Sequence, residues 1–181
     1  MKSAVIVSIL TLAAPAVAVA QVAPAGQVAV AGTVPSLCSS GLISGGDNVF
    51  DLGVLIDTST GFLLPSLSTP TKTLSGAFCN AQSTITISAV PMTAQNFAGT
   101  APSGFTSGVD FVATASGWAP SAASVSTAAD VNPNAVRQQP APHAGDILVS
   151  LSTFTARGGN LRLVADDDYR GSVVVTLAAV N

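Results

Sequence analysis

The chain has 181 residues, of which 48% are hydrophobic and 8% are charged, and its formal net charge is −3. This apolar composition excludes a solvated disordered chain, and the length suffices for one domain with a core of its own. The few lysines and arginines form no cluster of the kind that nucleic-acid binding requires, so we expect no nucleic-acid partner. The acidic residues, all nine of them aspartates, outnumber the bases, which also disfavours docking to anionic lipid.

The N-terminus has the pattern of an export signal. Lys2 supplies a positive charge, residues 4–14 are mostly apolar, and Ala18 and Ala20 form an A-x-A cleavage pattern. We therefore expect a signal peptide over residues 1–20, with the exact cleavage site left open. A transmembrane anchor is disfavoured because the apolar run is shorter than the roughly 20 residues that span a bilayer. The mature chain is expected to cross the inner membrane into the periplasm, and to reach the cell surface or the medium without inserting into a membrane.

Alternating apolar residues between turn-forming residues predict strands along most of the remaining chain. No segment has a persuasive helical pattern, and the spacing of the strands is typical of an all-β sandwich or barrel. One domain over residues 32–181 accommodates them. The predicted strands cover residues 28–34, 49–56, 71–79, 83–90, 109–115, 146–154, 161–164 and 169–177.

Residues 116–142 differ from the rest of the chain because they are rich in Ala, Ser, Pro and Asn. Prolines in the second half argue against a central strand. We predict a long surface loop there, with room for a short edge strand at residues 122–127. Loops of this length in a compact domain are usually functional or mobile.

Cys38 and Cys79 are the two cysteines of the chain. In an exported protein such a pair is a candidate disulfide, and the alternative is two buried thiols. A zinc site is disfavoured because two cysteines and one histidine lack the close spacing of a zinc cage. We expect the bridge to be structural.

Catalytic interpretations of the sequence are weak. Asp57-Thr58-Ser59 resembles the Asp-Thr-Gly loop of aspartic proteases, but Ser59 replaces the glycine and no second copy is present. The same residues are typical of a plain turn. His143 is the single histidine and no nucleophile elbow accompanies it, so we expect a surface histidine without a catalytic role.

Two further features have a binding interpretation and a structural one. The acidic run 166–168 could contribute to a calcium site, although consecutive aspartates point in alternating directions and a solvated turn is favoured. Trp118 could form a sugar-stacking platform with Phe105 and Phe111, but a buried tryptophan in the core is the better interpretation.

One set of residues recurs in a characteristic order along the chain: Gly32, Val34, Cys38, residues 50–54, Cys79, Tyr169, Val173, Val175 and Leu177. In this order the chain resembles chaperone–usher pilus subunits and the related spore coat U group. The resemblance covers both ends of the chain and the cysteine loop, but little of the region between residues 91 and 146. It implies an immunoglobulin-like sandwich of pilin type with one disulfide, whose last strand can be absent.

In that family a strand from one subunit fills the groove of the next. The resemblance therefore implies that residues 21–31 are a donor strand, that the final strand lines the groove, and that the protein is a non-catalytic structural subunit of a surface fibre or coat. It implies sister subunits or a homopolymer, a periplasmic chaperone and an outer-membrane usher as partners, and no cofactor. The inserted residues would be Val22, Gly26, Val28 and Val30, and the groove-lining residues Tyr169, Val173, Val175 and Leu177.

Two alternatives stay open at this point. Residues 21–31 could be an ordinary first strand after a frayed terminus, which Pro24 favours because proline has no N–H to donate to a ladder. The whole chain could instead be a self-complete secreted binding module that recognises a glycan or a surface partner through residues 116–142.

Overall fold

The computed structural model describes residues 30–44, 47–68 and 71–180. The chain divides into two compact units, Met1–Val34 and Pro35–Asn181. Within the first unit the described residues, 30–34, are exposed and form no strand. The expected signal peptide and most of the expected extension, including Val22, Gly26 and Val28, lie outside the described residues. The fold is that of the second unit.

The second unit is all-β, and the described residues contain no helix. No helix long and apolar enough to cross a membrane therefore occurs in that part of the chain. The strands are β1 (Cys38–Ser39), β2 (Leu42–Ser44), β3 (Thr71–Cys79), β4 (Ser83–Ala94), β5 (Phe105–Thr106), β6 (Gly108–Ser116), β7 (Ala123–Ser126), β8 (Val136–Gln139), β9 (His143–Ala156), β10 (Arg162–Leu163) and β11 (Tyr169–Ala179).

The main sheet is antiparallel throughout, with the strand order β1-β3-β9-β6-β4-β11. Three short strands lie beside this path: β2 pairs with β3, β7 with β6 and β8 with β4. β5 and β10 form a separate short parallel pair. Antiparallel pairing of neighbouring segments suits a chain whose strands are joined by turns rather than by crossover helices.

The sheet folds over at the junction of β4 and β6, which makes the structure sandwich-like. Only the pairs Met92↔Val109 and Thr93↔Gly108 connect the two strands. Away from this corner β4 contacts β7 and β11 contacts β3, although neither pair of strands is hydrogen-bonded. The inward side chains of the two halves consequently share one core.

β4 illustrates how the sequence pattern produces this arrangement. Ile85 and Ile87 are 1% exposed, whereas Thr84 and Thr86 between them are partly exposed on the outer face. Successive side chains of a strand point to opposite faces, so the alternation buries every second residue. The strands predicted over residues 71–79, 83–90, 109–115, 146–154 and 169–177 are confirmed.

Trp118 is a core residue, as the sequence predicts. Its side chain is 1% exposed, its indole N–H donates to the hydroxyl of Ser83 at 3.3 Å, and its ring meets that of His143 edge to face at 5.0 Å. His143 begins β9 and is partly buried, so the prediction that it lies on a surface loop is wrong. The packing of the imidazole against Trp118 explains this position.

The disulfide between Cys38 and Cys79 is confirmed. The two residues face each other in the antiparallel pair of β1 and β3, and Cys79 is 2% exposed. The bridge ties the first strand of the unit to the core.

The sequence prediction is wrong for two of the N-terminal strands. Residues 49–56 form no strand, and only Ile56 makes an isolated bridge, to Leu63. The described part of the segment 28–34 is likewise outside any strand. In both cases the apolar pattern is present but no neighbouring strand in the described chain supplies the hydrogen bonds that a ladder requires. The strand predicted at residues 161–164 shortens to the two residues of β10.

Residues 116–142 are not a single long loop. The edge strand expected near residues 122–127 is present as β7, and a second one, β8, pairs with residues 83–86 of β4. The sequence Val-Arg-Gln-Gln of β8 shows little apolar alternation, and neither face of this strand is fully buried. Polar edge strands of this kind are easily mistaken for loops.

Candidate functional site

Among the described residues, the terminal strand β11 is hydrogen-bonded to a neighbouring strand along one edge, and β1 lies near it. β11 pairs with β4 over its length, from Tyr169↔Ala94 to Ala179↔Ser83. Within the described residues no strand pairs with its other edge. An unpaired edge presents a row of free N–H and C=O groups that can accept another strand.

The inward side chains of β11 are incompletely covered. Val175 and Leu177 lie directly opposite Ile87 and Ile85, which are 1% exposed. Val175 and Leu177 nevertheless remain partly exposed, as does Val173. Cross-strand partners share one face of a sheet, and in the described chain no strand is hydrogen-bonded beyond β11 to extend this face. These three residues are among those that the sequence predicts to line a groove, and that role stays a prediction.

A bulge divides β11 near its start. The register shifts between Arg170 and Ser172, and Gly171 lies against β4 so closely that a Cβ there would come within 2.7 Å of the Val90 carbonyl oxygen. Only glycine permits this approach. The stretch from Ser172 to Ala179 consequently pairs with β4 in one regular register. Tyr169, the fourth predicted groove residue, lies on the other side of the bulge.

A cavity of about 640 Å³ lies beside Tyr169. Its walls are the non-strand segment 49–56, Met92 of β4 and residues 163–169. Val49 and Val54 in these walls are 61% and 66% exposed, which is high for valine. The cavity is thus an apolar space that the described chain leaves open at the start of the terminal strand.

The rim of the cavity is acidic. Asp51, Asp166, Asp167 and Asp168 line it, and Arg170 pairs with Asp168 at 2.6 Å. No other ion pair in the described chain reaches these carboxylates. The rim therefore has an excess of negative charge.

Asp166 is fixed in its ionised form by the backbone. Desolvation opposes the charge, but the N–H groups of Asp168, Asn96 and Phe97 donate to the carboxylate at 2.8 to 2.9 Å and hold its pKa below the ordinary value of 3.8. Hydrogen bonds to a charged acceptor favour the charged form. The acidic run is therefore a turn, but Asp166 is bonded to the backbone rather than solvated as the sequence predicts. It joins the loop after β4 to the loop before β11.

The surroundings of Asp166 shift the pKa of the neighbouring Tyr169 in the opposite direction, upwards. Its partial burial and the charge of Asp166 raise its pKa above the ordinary value of 10.0. The neutral phenol donates to the carbonyl oxygen of Val164 at 2.9 Å. This bond holds the wall of the cavity against the start of β11.

A second, polar cavity of about 490 Å³ lies near the start of β6. Asp110 is 5% exposed and accepts hydrogen bonds from Arg157 at 2.9 Å and from Thr127 at 3.0 Å. Asp130 and the glycines after Arg157 complete its lining. The buried carboxylate is thus neutralised by a cation that remains half-exposed.

The remaining candidate sites are structural in the described chain. Asp57 accepts hydrogen bonds from the N–H groups of Ser59 and Thr60 and from the Ser59 hydroxyl, and these bonds lower its pKa. This is the plain turn that the sequence permits. No group of three or more metal-ligating side chains occurs among the described residues.

The cavity walls could not be assigned from the sequence. Residues 49–56 show a strand pattern, but nothing in the pattern places them beside residues 163–169. The consecutive aspartates were a visible signal, yet their use as acceptors for Asn96 and Phe97 depends on tertiary structure.

Comparison with family models, with characterised proteins and with solved structures finds no match to this chain.

Proposed function

We propose that this protein is a non-catalytic structural subunit of a bacterial surface fibre or coat, assembled by donor-strand complementation on an incomplete immunoglobulin-like sandwich. The observation that carries the proposal is the open edge of β11, whose inward side chains remain half-covered beside their fully buried partners in β4. An inserted strand would supply main-chain hydrogen bonds to this edge and apolar cover to the groove.

The expected extension, residues 21–31, has the composition of such a strand. Val22, Gly26, Val28 and Val30 recur at even spacing, so they would face the groove together. Val30 is 96% exposed and lies in no strand, and the other three lie outside the described residues. Donation from one copy to the next does not close on itself and therefore builds a filament.

The remaining parts of the proposal rest on the resemblance. It supplies the sister subunits, the periplasmic chaperone that would cover the groove before assembly, and the outer-membrane usher. A disulfide between Cys38 and Cys79 is compatible with folding in an oxidising compartment such as the periplasm.

The first test is light scattering coupled to size-exclusion chromatography on the oxidised chain from Gln21 onward, with and without residues 21–31. Polymers should form with the extension and disappear without it. Val28→Asp and Val30→Asp should also abolish polymers, because a charge would enter the groove. Ala29→Asp is the matched control: in the proposed inserted strand its side chain would point away from the groove, so polymers should persist. A monodisperse monomer in both lengths contradicts the proposal.

The polar cavity favours a second candidate, a self-complete binding module. Its lining combines Asp130, from the region between β7 and β8, with Arg157 and the hydroxyl of Thr155, groups that hydrogen-bond to sugar hydroxyls. A glycan array tests this candidate. Binding that is lost in Asp130→Ala and Thr155→Ala, in a chain that stays monomeric, would favour the module over the fibre subunit.

A further inference from the structure

The segment before β1, residues 35–37, is hydrogen-bonded to a residue that belongs to no strand. Asn80 lies in the short connection between β3 and β4. Its side-chain amide donates to the carbonyl oxygen of Pro35 at 2.9 Å and accepts from the N–H of Leu37 at 2.7 Å. Its backbone N–H donates to the carbonyl oxygen of Leu37 at 3.1 Å. We call these three hydrogen bonds the Asn80 clamp.

The clamp takes the place of a strand partner. The amide of an asparagine carries a donor and an acceptor, and here it binds two residues that are two positions apart, as the peptide group of a neighbouring strand would. Apolar packing contributes little, because Leu37 is 54% exposed and residues 35 and 36 are exposed as well. The disulfide holds the next residue, Cys38, but a bond at that residue does not fix the backbone that precedes it.

We propose that Asn80 is a positioning residue, which sets the point at which the N-terminal extension leaves the domain. On the N-terminal side of the clamp, Val34 is 86% exposed and lies in no strand. With the clamp closed, residues 32–34 separate the clamped segment from the expected donor strand, residues 21–31. With the clamp open, the linker comprises residues 32–37 and is twice as long. The root-mean-square reach of a flexible linker grows with the square root of its length, so the reach increases about 1.4-fold.

The consequence for assembly rests on the proposed function, in which the extension of one subunit lies in the next. A short linker restricts the orientations that successive subunits of a filament can adopt, and a longer linker permits more of them. Opening the clamp alters neither the extension nor β11. We therefore expect subunits with an open clamp to form filaments that bend more easily.

Hydrogen exchange measured by mass spectrometry on the oxidised chain from Gln21 onward tests the clamp itself. Asn80→Ala removes both side-chain hydrogen bonds and should speed exchange of the Leu37 amide roughly tenfold or more, because the segment opens locally. Asn80→Asp keeps the shape of the side chain and an acceptor for this amide but loses the donor to Pro35, so its effect should be smaller. Asn160→Ala is the matched control and should change nothing, since this asparagine is exposed and makes no side-chain hydrogen bond in the described chain.

Electron microscopy of filaments formed by the same variants tests the positioning role. The persistence length of Asn80→Ala filaments should be at most half that of the unmodified chain, and Asn160→Ala filaments should match the unmodified chain. A residue that only stabilises the domain would lower the midpoint of urea unfolding and leave the persistence length unchanged. Asn80→Asp gives the same comparison if Asn80→Ala folds poorly.

The outcomes separate this proposal from the proposed function. Exchange of the Leu37 amide that stays within twofold in Asn80→Ala refutes the clamp, whether or not filaments form. Faster exchange with filaments of unchanged stiffness refutes the positioning role and leaves the proposed function standing. If the unmodified chain forms no filaments, the proposed function and the positioning role are refuted together, and the exchange of the Leu37 amide still decides whether Asn80 holds residues 35–37.

Discussion

Reduction of the bridge between Cys38 and Cys79 should destabilise the domain strongly. The cysteines are 41 residues apart, and the chain-entropy relation for a loop of that length gives about 4 kcal/mol at 25 °C. Residues 47–68 of the loop contain isolated bridges and turns but no strand. The bridge restricts this loop in the unfolded chain, and in the folded chain it retains β1.

Urea denaturation of the oxidised and reduced protein measures this effect. With a slope of about 2 kcal/mol per molar urea, the midpoint should fall by about 2 M on reduction. The slope should rise slightly, because the reduced unfolded chain is more expanded. The Cys38→Ala/Cys79→Ala variant should unfold near the reduced protein and show no further change with a reductant. A midpoint shift below about 0.5 M at an unchanged slope would refute the reasoning.

Three further predictions concern charged and ionisable groups. Arg157→Ala should lower the free energy of unfolding by about 2 kcal/mol, because it leaves the buried Asp110 carboxylate without its cation. A double-mutant cycle with Asp110→Asn should give a coupling energy between the two residues of about 1 kcal/mol or more. Asp166→Asn should lower the melting temperature at pH 7 more than the control Asp167→Asn. Because the pKa of Asp166 is lowered by folding, its contribution should be present above about pH 4 and vanish on acidification below its folded pKa, so the two variants should converge there. Tyr169→Phe should remove the part of the alkaline stability loss that begins above about pH 10, because folding raises the pKa of this phenol and favours its neutral form.

Strands with partners were predictable from the sequence. In β4 and in β11, inward and outward side chains alternate over a long stretch, and the two strands pair with each other. The local sequence pattern and the tertiary pairing therefore agree. The disulfide was predicted from two cysteines in a chain whose N-terminus has the pattern of an export signal. Trp118 was predicted as core because a chain with few aromatics buries its largest side chain.

The errors have physical causes. β8 was missed because three of its four residues are polar and its position depends on pairing with residues 83–86 of β4. His143 was assigned to a loop because Pro142 precedes it, yet packing against Trp118 orders the chain there. Side-chain contacts of this kind connect residues far apart in sequence, and a single sequence carries no record of them.

The failed prediction at residues 49–56 differs from the others and bears on function. This segment has the apolar pattern of a strand, but in the described chain it forms one wall of the cavity beside β11 without a ladder of its own. Among the described residues, segment 49–56 thus has a strand pattern without a ladder, and β11 has an edge to which no strand is hydrogen-bonded. Local pattern and tertiary structure disagree most often where a site is completed by something outside the chain. If a strand inserts along β11, amides of residues 49–56 should become protected from hydrogen exchange together with those of Ser172 to Ala179. Protection confined to β11 would show that the inserted strand extends one sheet without closing the groove, and the sandwich would then stay open on that side.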